Sequence, residues 1–252
     1  ELLRQELSSP QWKPQTLALS GVTDPFQPVE RRLRLTRRCL QVLVQFRNPV
    51  SLVTKNHLVT RDLDLLQELA RHQAVAVALS ITSLDPDLIG RLEPRTSRPA
   101  MRLSAIEALA EVGIPVGVLV APIIPALNEP EIPAILEAAA MAGARWAGME
   151  VLRLPLAVAP LFQEWLYRHE PLKQEKILTR IRAVRGGKLN DPRFGIRMRG
   201  EGIFAEQISR MFEVCCRKAG LQRHWPKLAT TALRRPAGPQ MELGLAKPDA
   251  LE

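Results

Sequence analysis

The stretch VSLVTKNHLVTRDLDLLQELARHQAVAVALS, residues 50–80, decides the fold. Its ends, Val50–Thr54 and Ala74–Ser80, are short runs of Val, Leu and Ala, the composition of strands buried on both faces. Between them, Asp62–His72 returns Leu63, Leu66, Leu69 and Ala70 at three-to-four spacing, which places them on one helical face. Two apolar strands joined by such a helix form a βαβ unit, and this crossover makes the strands parallel.

The same alternation extends outward from this unit. Upstream, Thr16–Ser20 reads as a strand, and Arg32–Phe46 as a helix with Leu35, Cys39, Val42, Leu43 and Phe46 on one face, stopped by Asn48 and Pro49. Downstream, a polar connection over Thr82–Ala100 leads into a helix, Met101–Val112, that Gly113 should cap. Pro115–Ala121 is the fourth strand. Glu131–Met141 is the next helix, closed by Gly143, and Gly148–Leu154 is the fifth strand. Five βα-like units over residues 16–170 predict an α/β fold, with a whole or partial (β/α) barrel preferred. A doubly wound open sheet ranks second, because no GxGxxG or P-loop glycine pattern follows a strand. The expected organisation is a partial barrel over residues 1–170, a basic helical extension over 171–225, and a proline-rich, disordered tail over 226–252.

The composition, 46% hydrophobic and 24% charged, is that of a soluble globular protein. No apolar run is long enough to span a membrane and no signal peptide opens the chain, so a cytoplasmic location and no membrane partner are expected. The three cysteines, Cys39, Cys215 and Cys216, exclude a disulfide framework and show no metal-type spacing. The four histidines form no HxxxH pair and no GxSxG elbow occurs, which removes helix-borne zinc sites and hydrolase nucleophiles. The net charge of +9 is unevenly spread: residues 171–240 hold 16 Lys and Arg against 5 Asp and Glu. That segment attracts polyanions, which makes nucleic acid an expected partner, although its aromatic residues are sparse (Phe194, Phe204, Phe212 and Trp225).

In parallel βα folds the ligand sits at the carboxyl ends of the strands. Those ends carry Thr23 and Asp24, then Thr54 and Lys55, then Ser80 and Thr82, then the Pro122–Ile124 stretch, then Arg153. One ammonium, one guanidinium, one carboxylate and several hydroxyls suit a small molecule bearing a carboxylate or a ribose. Helix capping is the competing role for Thr23, Thr54 and Ser80. Glu93-Pro94-Arg95 invites an ion pair, which in a solvated loop would contribute little.

These strand-end motifs also carry a resemblance. TDPFQPVE (Thr23–Glu30), SLVTK (Ser51–Lys55), ALSITSLD (Ala78–Asp85), LEPRTSRPAMRLSAI (Leu92–Ile106), VLVAPIIPALNE (Val118–Glu129), LRLPL (Leu152–Leu156) and DPRFGIRMRGEG (Asp191–Gly202) resemble radical S-adenosylmethionine proteins, and more narrowly the spore photoproduct lyase-like, DNA repair photolyase-like group. The resemblance implies a partial (β/α)6 TIM-like barrel and an enzyme that cleaves S-adenosylmethionine reductively on a 4Fe–4S cluster, giving a 5′-deoxyadenosyl radical, with a flavodoxin or ferredoxin as electron donor. It implies that Lys55 approaches the methionyl carboxylate and that Ser80, with Thr82 beside it, lies near the ribose. It further implies that Thr23 and Asp24 lie near the methionyl amino group and that Pro122 and Ile124 lie near adenine, with Arg153 lining the pocket.

The family's CxxxCxxC cluster motif has no counterpart in this chain, whose first strand resembles the family's second. Glu1 in place of Met supports the expectation of a C-terminal portion of a longer protein, missing its first βα unit and inactive alone. The alternatives are a non-catalytic nucleic-acid-binding module using residues 171–240, or a barrel that binds S-adenosylmethionine without radical chemistry.

Overall fold

The computed structural model describes residues 1–236. One all-parallel sheet runs in the order β1 (Leu17–Leu19), β2 (Val50–Thr54), β3 (Val75–Ser80), β4 (Val116–Ile123) and β5 (Trp146–Val151). This order removes the doubly wound alternative: such a sheet reverses direction at a switch point, whereas a barrel adds each strand on the same side of the last. The sheet is open, a partial barrel. Beyond β5, Gln222 bridges to Trp146.

Helix α1 (Leu2–Ser8) precedes β1, and α2 (Glu30–Leu33) and α3 (Leu35–Phe46) join β1 to β2. Next come α4 (Leu63–Arg71) before β3, α5 (Pro86–Leu92) and α6 (Pro99–Glu111) before β4, and α7 (Ile132–Met141) before β5. After β5 follow α8 (Val158–His169), α9 (Gln174–Ala183), α10 (Ile196–Arg199) and α11 (Ile203–Lys218). Gly113 and Gly143 follow α6 and α7 with φ of 77° and 98°, as their capping role requires.

Three local expectations shift. The helix expected from Arg32 breaks at Arg34, because the buried Glu30 carboxylate accepts the N–H groups of Leu35 (2.8 Å) and Thr36 (3.1 Å) and starts α3 there. The connection read as polar loop contains α5, whose N-cap is Asp85, bonded by Asp87 N–H at 2.8 Å, with Pro86 in the first turn. The fifth strand begins at Trp146 and ends at Val151, leaving Arg153 in the loop beyond it.

The main core lies between the sheet and α3, α4, α6, α7 and α11, with Leu52, Val77, Leu79, Val118 and Ile135 fully buried. Helix α11 contributes Ile208, Phe212 and Cys216 to that core. Within the segment read as a tail, residues 226–236 run back over the body: Ala229 N–H donates to Gln73 O at 2.9 Å and Arg234 N–H to Phe46 O at 2.9 Å. Residues 237–252 lie outside the described residues.

Where β4 meets β5, Gly117 pairs with Trp146, and a Cβ on Gly117 would fall 2.2 Å from the indole and 2.6 Å from the Trp146 carbonyl oxygen. Backbone on one side and a buried ring on the other leave no room to yield. Gly117→Ala is therefore expected to cost about 1–3 kcal/mol in urea unfolding; an unchanged midpoint would contradict this packing.

Candidate functional site

The strand ends are stitched by side chains rather than left open. Asp24 follows β1, and its Oδ1 accepts from Phe26 N–H (2.8 Å) and the Thr54 hydroxyl (2.7 Å), while Oδ2 accepts from Lys55 N–H (2.7 Å). The carboxylate thus ties the β1 loop to the end of β2 and keeps acceptor capacity on Oδ2. Asp24 also lines a cleft of about 490 Å³ with Gln27, Asn56, Arg95 and Thr96. Thr23 is exposed beside it.

The Lys55 ammonium crosses to β3, donating to Thr82 Oγ1 at 3.0 Å and pairing with Glu93. Glu93 is also held by Arg102, whose side chain is 0% exposed: Nη2 lies 2.6 Å from Glu93 Oε2, Nη1 donates to Ser80 O (2.8 Å) and Nε to Ser97 O (2.8 Å). Burial opposes ionisation of Glu93, but Lys55 and Arg102 outweigh it and hold the carboxyl below its usual range. Burial lowers the pKa of Lys55, with Glu93 opposing that pull. Two cations share one carboxylate, so the trio carries a surplus positive charge, and Lys55, 25% exposed, is its accessible member.

Thr82 Oγ1 lies 2.5 Å from Glu93 Oε1 and 2.8 Å from Ala121 O, which its single proton serves in turn. Ser80 donates to the same Ala121 carbonyl at 3.0 Å. Asp24, Lys55, Thr82 and Ser80 therefore belong to one hydrogen-bonded chain across four strand ends. Pro122 is half-buried, its carbonyl bonded by Asn128 at 3.0 Å. Ile124 is fully buried among Leu154, Phe162, Leu166 and Ile177, with its N–H donating to Asn128 Oδ1 at 2.6 Å. Arg153 stands apart, Nη1 4.0 Å from Glu150 Oε1 and 3.8 Å from Met198 Sδ.

Sequence reasoning missed Glu93 as a buried hub and passed over Arg102 altogether. A signal for Arg102 existed: it precedes Ile106 and Leu109 at helical spacing, so it sits on the apolar face of α6, where an arginine needs a partner. Nothing local marked Glu93, since its partners come from the ends of β2 and β3 and from α6.

Compared with known families, residues 6–139 match the model of the Radical SAM superfamily. The chain belongs to that superfamily. Uncharacterized proteins of Mycobacterium tuberculosis and Mycobacterium bovis are 36% identical to this radical SAM chain over 172 residues, 68% of it and 51% of their own length. An uncharacterized protein of Methanocaldococcus jannaschii is 33% identical over 113 residues, 45% of this chain and 42% of that one. The chain thus spans about half the length of the curated relatives it matches. Among solved structures, a cysteine-to-serine variant of spore photoproduct lyase superposes with a TM-score of 0.64 at 17% identity, covering 89% of this chain and 64% of the lyase. A double variant of that lyase with bound AdoMet and dinucleoside spore photoproduct gives 0.57 at 16%, covering 85% and 62%. At these identities the likeness establishes the partial-barrel fold.

The superfamily implies S-adenosylmethionine and a 4Fe–4S cluster. The residues present do not fit the cluster. Cys39 lies on α3 and Cys215 and Cys216 on α11, none at a strand end. Burial pushes the Cys39 thiol up and the Cys216 thiol to about 11, away from the thiolate that iron requires. Among the described residues no group of three His, Cys, Asp or Glu is placed to hold a metal ion, and no helix is long and apolar enough to cross a membrane.

Proposed function

We propose that this chain is the S-adenosylmethionine-holding part of a radical enzyme whose cluster ligands lie on a segment outside it. The chemistry this cofactor supplies in the family is radical hydrogen abstraction from a substrate. The observation that carries the reading is the surplus positive charge of the Lys55–Glu93–Arg102 trio at the convergence of the strand ends, a ready partner for a carboxylate. Lys55 would receive the methionyl carboxylate, and Asp24 Oδ2, with Thr23 beside it, the amino group. Ser80 and Thr82 would border the ribose and Pro122 the adenine, while Ile124, buried in the core, would only support that stretch from behind. Glu93 and Arg102 act through Lys55, as positioning residues.

Nucleic acid is the substrate class this proposal favours, supported by the basic residues of 171–240 and by the dinucleoside lesion bound to the lyase neighbour. In a cell the intact protein would work in the cytoplasm with an electron donor such as a flavodoxin or ferredoxin. Calorimetric titration of the chain with S-adenosylmethionine tests the site. Lys55→Ala is expected to weaken binding by about tenfold or more, as removal of one charge-assisted hydrogen bond should. Undiminished affinity, or no binding to the parent chain, would remove the assignment. For the longer protein, 5′-deoxyadenosine formation after anaerobic iron–sulfur reconstitution is the corresponding readout.

A further inference from the structure

At the end of β5 lies a second charged corner, of which the cofactor resemblance claimed only Arg153. Glu150 on β5 is half-buried, 4.0 Å from Arg153 Nη1 and within electrostatic reach of Arg185 and Arg197. Arg185 is 1% exposed, and its Nη2 donates to Val151 O (2.9 Å) and Leu152 O (2.7 Å), while Nη1 donates to Ile196 O (3.1 Å). The Leu152 and Ile196 carbonyls immediately precede Arg153 and Arg197. The buried guanidinium is thus a strut that fixes the end of β5 against α10 and brings the other two arginines to one place.

Neither of those two has a close oxygen acceptor among the described residues. Arg153 makes the 4.0 Å approach to Glu150 and the 3.8 Å approach to the Met198 sulfur, and Arg197 stands 5.3 Å from the centre of the Phe194 ring. The Nε atoms of Arg153, Arg185 and Arg197 are buried without a hydrogen-bond partner among the described residues. Buried donors left unpaired are costly, and they set the part-exposed ends of the Arg153 and Arg197 guanidiniums at the surface, where an oxyanion can be received. The adjoining surface is apolar and open: Phe194 is 89% exposed and Met198 38%. An oxyanion next to a stacking surface is the chemistry of a nucleotide unit in a strand.

We propose that Arg153 and Arg197, fixed by Arg185, form a binding site for a backbone phosphodiester of a single-stranded nucleic acid, with a flanking base against Phe194. This rests on the proposed nucleic-acid substrate class and assigns it a place, just beyond the end of β5, at the opposite edge of the sheet from β1 and the Asp24 loop. Arg153 then serves substrate rather than cofactor.

The test is fluorescence anisotropy of the whole chain with a labelled oligothymidylate of about eight nucleotides, at several salt concentrations. The R153Q/R197Q variant is expected to bind at least about tenfold more weakly, with the slope of log affinity against log salt reduced by about 0.7 for each phosphate no longer neutralised. Phe194→Ala should weaken binding about tenfold by removing the stacking surface, and R197K, which keeps the charge but not the fork, should fall between parent and double variant. An oligomer with neutral methylphosphonate linkages should bind the parent no better than the phosphodiester binds the double variant.

Parent-like affinity and salt slope in R153Q/R197Q, with thermal midpoints showing both proteins folded, would overturn the site. So would displacement by inorganic phosphate as effective, phosphate for phosphate, as by the oligonucleotide, since that assigns a site for the free anion rather than for a strand. S-adenosylmethionine titration of R197Q separates the two proposals. Parent-like cofactor affinity is expected. Absent cofactor binding in the parent counts against the cofactor reading, and cofactor binding abolished in R197Q alone counts against a separate phosphodiester site.

Discussion

Arg102→Met should destabilise the chain by about 3–5 kcal/mol, the range for removing one partner of a buried ion pair. The guanidinium is wholly buried and makes four links: to Glu93, Ser80 O, Ser97 O and Thr96 Oγ1 at 2.5 Å. Methionine fills the volume but removes the guanidinium donors of two carbonyls and a hydroxyl, and leaves a buried carboxylate with Lys55 as its one cation. The effect should appear in urea unfolding as a lower midpoint with an unchanged slope. It should also bring weaker S-adenosylmethionine binding, since the 92–98 segment that orients Lys55 is anchored by this residue. A variant as stable as the parent would mean that the network contributes nothing net, as some buried ion pairs do when replaced by apolar groups.

Glu93→Gln should be comparably damaging at neutral pH, about 3 kcal/mol, because the buried Arg102 and the part-exposed Lys55 lose their shared counter-charge. It also carries a pH signature. The Glu93 carboxyl is held below its ordinary value of 4.5 in the fold, where Lys55 and Arg102 outweigh the opposing effect of burial. Its stabilising contribution is therefore complete above that ordinary value, which the unfolded chain retains, and is lost as pH falls through the lower folded value. The parent should lose stability over that acid window, and Glu93→Gln, already lacking the charge, should lose less. Parallel stability–pH curves for the two proteins would exclude this role for Glu93.

How far these residues were readable from the chain follows from the range of the forces on them. Strand β2 was legible to the residue, and β3 and β4 to within two residues at each end, because continuous apolar runs between polar helices report burial locally. Helix α4 was legible through its spacing, and α6 and α7 through the glycines that close them. Helix α5 was missed although Asp85-Pro86 marks its start, because a seven-residue helix is too short to show a period.

The amino-acid sequence by itself determined a parallel α/β partial barrel, a radical SAM affiliation, the side of the sheet that bears Asp24, Lys55, Ser80 and Thr82, and the positive charge of the C-terminal third. The tertiary structure alone decided that Lys55 shares Glu93 with a buried Arg102, that Ile124 belongs to the core, and that Arg185 ties together the segments bearing Arg153 and Arg197. The division has a physical cause. Hydrophobic periodicity is a property of neighbours along the chain, whereas a buried charge is defined by partners such as Glu30 and Arg61, or Leu152 and Arg185, that are about thirty residues apart and meet only once the sheet has formed.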